Sequence, residues 1–153
     1  MSSPISQKIP LKQILTVAFI AGTLDGASAV IFLAKFKFAA TFKYIASAIF
    51  GKEAFAGGTE MILAGIFFHY FIAFSFTLFY AFIVTKVKFL SANKVVSGIL
   101  YGLFVWAVMN LIVVPLTRIP AADFNPQRAL ANAVILVFCI GLPISLLISG
   151  RRT

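Results

Sequence analysis

The sequence predicts an all-α fold: a polytopic membrane four-helix bundle with an amphipathic interfacial helix between the first and second spans. Three observations carry that expectation. Of 153 residues, 61% are hydrophobic and 11% charged, whereas a soluble domain is about 45–50% apolar. The apolar residues gather into runs of about twenty, the length a helix needs to cross a hydrocarbon core of about 30 Å. Between the runs stand lysines and arginines, the residues that anchor spans at the membrane surface. Residues 1–153 therefore read as a single transmembrane domain.

The first run, residues 14–34, reads ILTVAFIAGTLDGASAVIFLA. A basic head, an apolar core from Ile14 to Leu24 and the small triplet Ala27, Ser28, Ala29 imitate a secretory signal peptide. Against cleavage, apolar character resumes at once from Val30, and Asp25 precedes the would-be cleavage site. A retained helix is the expectation. The second span, 61–84, is aromatic and holds His69; the third, 95–116, holds Trp106 and Asn110 and ends near Pro115. The fourth, 129–148, carries Asn132 early and Gly141 and Pro143 late, where a kink is tolerable if neighbours satisfy the freed carbonyl.

The connection between the first two spans is not an ordinary loop. Phe38, Phe42, Ile45 and Ile49 recur at helical spacing, with Lys37, Lys43 and Lys52 supplying charge. This predicts a helix over 37–50, lying in the interface or packed as a lid over the bundle and ended by Gly51. Gly57 and Gly58 then break the chain, Thr59 is a fair N-cap, and Glu60 suits the positive end of the second span's dipole.

Thirteen Lys and Arg against four acids read as span anchors rather than a nucleic-acid surface, because little soluble surface exists to carry a basic face. The expected partner is the lipid bilayer, with a homo-oligomer as a further expectation and no nucleic acid. Lys8, Lys12, Lys86, Lys88, Lys94, Arg151 and Arg152 fall on the side of both termini, with no acid; Lys35, Lys37, Lys43, Lys52, Arg118 and Arg128 fall on the other. Seven against six is a weak bias toward cytoplasmic termini in a bacterial inner membrane.

Ionisable groups inside hydrocarbon cost several kcal/mol, so they usually face the helix interior and often have a function. Asp25 and His69 each lie about 14 Å from the same membrane side, counting about 1.5 Å per residue, and could pair. With Asn110, Asn132 and Glu60 they form the candidate intramembrane polar site; the alternative is a satisfied network that fixes helix register. Gly22 and Gly26, Gly65, and Gly98 and Gly102 mark faces where helices approach closely.

Catalytic templates are missing. One histidine and one cysteine leave no HExxH zinc site, di-metal carboxylate site or disulfide, and no GxSxG elbow or phosphate-binding glycine loop occurs. Cys139 lies toward the opposite half of the membrane from His69 and reads as a small packing residue. No enzyme, metal or cofactor is expected.

The segments YIASAIFGKEAFAGGTEMILAGIFFHY (44–70), GILYGLFVWAVMNLIVVPL (98–116) and FCIGLPISL (138–146), with the early GTLDGASA, resemble a family of small uncharacterised bacterial membrane proteins similar to the YagU-like group. The likeness spans most of the chain. It implies that Asp25, His69, Asn110 and Pro115 are family features and that the first span is retained. It brings no established activity. Where the family pattern carries a histidine shortly before FCIGLPI, this chain reads ANAVILV, which speaks against a two-histidine site. Two functions follow as expectations: a structural or stress-related membrane protein with a buried polar core, or a small oligomeric transporter or channel moving protons or solute through Asp25 and His69.

Overall fold

A computed structural model describes residues 8–148. Arg151 and Arg152, counted above as anchors, lie outside the described residues. Among the described residues there are helices and no strand. Four helices are long and apolar enough to cross a membrane: α1 (Leu11–Leu33), α4 (Thr59–Val84), α6 (Lys94–Leu116) and α7 (Pro126–Ile148). Three shorter helices connect them: α2 (Phe38–Phe50), α3 (Glu53–Ala56) and α5 (Lys88–Ala92). Spans of 23 to 26 residues are about 35–39 Å long, enough for a core of about 30 Å.

Two of the spans, α6 and α7, begin on a polar side-chain cap. Asn93 Oδ1 accepts the Val96 N–H at 3.2 Å to start α6, and Asn125 Oδ1 accepts the Arg128 N–H at 3.1 Å, with Pro126 at the first helical position of α7. Both satisfy donors that a helix start leaves orphaned. Thr59 does not cap α4. Gly58 takes that position, and Glu60 Oε1 turns back to accept its N–H at 2.6 Å.

Three spans contain one wide, π-helical turn: Ala29–Leu33, Met109–Val113 and Val137–Gly141. The last two stand just before Pro115 and Pro143, where the ladder loses an N–H and must loosen. The helix of α1 runs unbroken through the Ala27, Ser28, Ala29 triplet. It then closes without glycine: Lys35 and Phe36 have φ of 49° and 64°, a conformation uncommon for bulky residues.

The spans pack in pairs. α1 lies against α4 and α7, and α6 lies against α7. Across from these, α4 meets α6 through large side chains, with Phe79 stacked on Phe104 at 5.7 Å and Tyr101 Oη donating to the Phe76 carbonyl at 2.5 Å. A core of Ile14, Val17, Ala21, Tyr80, Val84, Val105, Leu136 and Ile144 fills the space between. The outward faces are apolar: Phe19, Phe67, Leu111 and Leu130 are each more than 60% exposed. Apolar area on that scale suits hydrocarbon rather than water.

The connecting helix α2 ends at Gly51, whose φ of 64° a residue with a Cβ would reach only with strain. Its apolar stripe is divided between protein and surroundings. Phe42, Ala46 and Ser47 are buried, while Phe38 and Ile49 are about half exposed. Gly65 lets α2 approach α4 closely: the Phe42 backbone carbonyl sits on it where any Cβ would collide. The Arg118 N–H donates to the Ala48 carbonyl at 3.0 Å and ties α2 to the α6–α7 connection.

Candidate functional site

The polar site begins at the α1–α4 seam. Gly22 and Gly26 leave a strip of bare backbone on α1, and His69 fills it: its Nε2 is 2.7 Å from the Gly22 carbonyl oxygen and would lie 3.0 Å from a Cβ added at Gly26. A carbonyl only accepts, so Nε2 carries the hydrogen and donates it. Tyr70, the next residue, packs on the other side of the seam. Its ring stacks on Phe19 at 5.6 Å and its hydroxyl meets Thr23 Oγ1 at 2.8 Å. Thr23 gives its own proton to the Phe19 carbonyl at 2.7 Å, so Tyr70 is the donor to Thr23. From the connecting segment, the Phe42 ring approaches His69 edge-on at 6.1 Å.

Asp25 lies on the same stretch of α1, between the turn that receives His69 and Ser28, whose Oγ is 3.1 Å from Cys139 Sγ on α7. Asp25 thus stands near both His69 and Cys139, so Cys139 does not lie in the opposite half of the membrane from His69, where its place in the sequence put it. Although Asp25 and His69 could pair, His69 gives its proton to the Gly22 carbonyl rather than to the Asp25 carboxylate. A carbonyl partner costs less here than an ion pair, because a charge pair must lose its hydration before it gains attraction.

The remaining predicted residues do not join this pair. Asn110 Nδ2 returns to the Trp106 carbonyl one turn back at 2.9 Å, within its own helix. Asn132 is half-buried on α7. Glu60 is exposed and bonded to the start of its own helix, where Lys43 also faces it. Its residue type suits a helix N-terminus, and that local use keeps it out of the interior. Among the described residues, no group of three or more His, Cys, Asp or Glu could hold a metal.

Two features lay outside the sequence reading. Near the other end of the spans, Tyr80 is fully buried and its hydroxyl lies 2.7 Å from Ser97 Oγ of α6 and 3.0 Å from Ser145 Oγ of α7. Ser145 passes its proton to the Lys94 carbonyl at 2.6 Å. Three helices are thus joined by neutral hydroxyls. Tyr80 continues the α4 face of Ala73 and Thr77 at the next three-residue step, the one signal that could have marked it. The second feature is the Trp106 Nε1, which is buried without a hydrogen-bond partner. The register of Gly102 on Val137 and of Gly98 on Leu142 carries Trp106 to the level of residues 132–133 of α7.

The glycines serve as approach points. Cβ atoms at Gly98, Gly102 and Gly141 would strike backbone of the facing helix, in the tightest cases Val137 Cα at 2.5 Å from Gly102 and the Gly98 carbonyl oxygen from Gly141. At Gly22 and Gly26 the obstacles are side chains, Tyr70, Ala73 and His69. Surface grooves beside α4 are apolar and open, lined by Leu63, Phe67, Tyr70 and Phe71 in one case and by Ser75, Phe79 and Phe104 in another. Neither is lined by Asp25 or His69. Compared with models of known protein families, with curated proteins and with solved structures, the chain matches none.

Proposed function

We propose that this chain is a four-helix bundle of the bacterial inner membrane, termini in the cytoplasm, whose intramembrane polar groups lock the helices in register. Its role is structural or stress-related rather than catalytic. The bond from His69 Nε2 to the Gly22 carbonyl carries this reading. The most costly side chain of α4 is used up as a fastener between helices, and in hydrocarbon such a bond contributes about 0.6–2 kcal/mol. On this reading α2 lies at the membrane interface, packed on α4, with its exposed Phe38, Tyr44 and Ile49 toward lipid. Likeness to YagU-like proteins belongs to the same proposal.

One observation favours the second reading, an oligomeric proton or solute path. The Asp25 carboxylate, in mid-span and near His69, accepts no hydrogen bond among the described residues. Reconstitution separates the two. Liposomes holding the purified chain are given a pH gradient, and dye-reported flux is compared with protein-free liposomes and with His69→Gln. The structural reading predicts no flux above the lipid background and a lower unfolding temperature for the variant. Flux that disappears in a variant as stable as the parent would replace it with the conducting reading.

A further inference from the structure

The two ends of the molecule differ in charge chemistry. At the end where α1 and α6 begin and α4 and α7 finish, the elements are drawn together. Gln13 Nε2 donates to the Leu147 carbonyl at 2.9 Å, Ser145 bonds the Lys94 carbonyl, and Ile9, Ile83 and Leu90 all pack on the core that holds Ile14, Val84 and Ile148. Around it stand Lys8, Lys12, Lys86, Lys88 and Lys94, and no acid among the described residues. At the opposite end six cations face Glu53, Glu60 and Asp123. There Lys43 is already engaged, reaching the Phe55 carbonyl at 3.5 Å and facing Glu60.

The acid-free end is also collared by apolar groups. Phe82, Val87 and Phe89 are 57%, 45% and 55% exposed, and Lys86 Nζ lies 4.2 Å over the Phe82 ring. Ammonium groups above exposed hydrocarbon, with no carboxylate to repel a phosphate, match a ligand that is anionic at its head and apolar below. A nucleic acid or an acidic protein would meet the lysines and leave the collar unused.

We propose that this end binds the headgroups of anionic phospholipids through Lys8, Lys12, Lys86 and Lys88, with their acyl chains against Phe82, Val87 and Phe89. The inference rests on the membrane placement above but not on the role given to His69. Each lysine near an anionic membrane surface strengthens attraction about fivefold, and salt weakens it because the charges are exposed.

The test uses the full chain in neutral detergent, titrated with phosphatidylglycerol or phosphatidylcholine, with binding followed by native mass spectrometry. The expected result is phosphatidylglycerol bound at least about tenfold more tightly, with the preference collapsing at high salt. Lys86→Gln with Lys88→Gln should lose about 25-fold, fivefold for each lysine, while Lys35→Gln with Lys37→Gln at the opposite end should change binding less than about twofold. Equal binding of the two lipids, an equal loss from the 35/37 pair, or full competition by inorganic phosphate would each overturn the proposal. The lipid ratio and its salt dependence need no variant, so they decide the matter even if the substituted chains do not fold. Because binding is measured in detergent, a negative result here leaves the flux experiment on His69 unaffected.

Discussion

The α6–α7 seam and the α1–α4 seam both depend on glycine, but they close in different ways. In the first, Gly98, Gly102 and Gly141 bring backbone onto backbone, and a Cβ at Gly102 would sit 2.5 Å from Val137 Cα. At Gly102 and Gly141 every obstacle is backbone and cannot rotate away. In the second, the strip of Gly22 and Gly26 receives side chains, and the His69 imidazole completes the contact with a hydrogen bond of 2.7 Å. Lipid offers no hydrophobic drive for helices to associate, so close packing and interhelical hydrogen bonds must do it. The two seams are the two available solutions. One is rigid and carries no chemistry; the other is adjustable and places a titratable ring beside Asp25.

Substitutions at matched positions sharpen the contrast, all measured as reversible unfolding in mixed micelles. Gly102→Ala should be the most damaging, about 3 kcal/mol, since the helices must separate to admit the methyl group. His69→Ala should cost about 2 kcal/mol, from the lost bond and the space left between α1, α4 and Phe42. Tyr80→Phe should cost about 1 kcal/mol, because Ser97 and Ser145 lose a shared partner while Ser145 keeps the Lys94 carbonyl. Gly26→Ala should cost least, about 0.5 kcal/mol, as the ring can shift and alanine favours the helix. If Gly26→Ala proved as harmful as Gly102→Ala, the seams would not differ in the way described.

Much of this was legible in the sequence, and the parts that were not share a cause. Hydropathy located all four spans and Gly51 marked the end of α2, because length and conformational need leave a local trace. The starts of α6 and α7 were placed late, since Asn93 and Asn125 are polar caps that a hydropathy run excludes. Matching depths brought Asp25 and His69 to the same level, but the acceptor that His69 uses is a backbone carbonyl, present at every residue and so without a signature. The Tyr80, Ser97 and Ser145 junction escaped for a similar reason. Hydroxyls cost little in a span and attract no notice until three helices bring them together. The close approach of the Phe42 carbonyl to Gly65 has no trace in the sequence of α2, because the glycine that permits it is on another helix.

His69 is the sole histidine, so a ¹⁵N-histidine label reports on it alone. In lipid bilayers, solid-state NMR of protein labelled also with ¹³C-carbonyl glycine should show a protonated Nε2 in through-space contact with a glycine carbonyl, lost in Gly22→Ala, where the carbonyl carries no label. That result would place His69 as a fastener between α1 and α4. An unprotonated Nε2, or a ring whose contact is with the Asp25 carboxylate instead, would contradict the account and move the pair from holding the helices to handling protons.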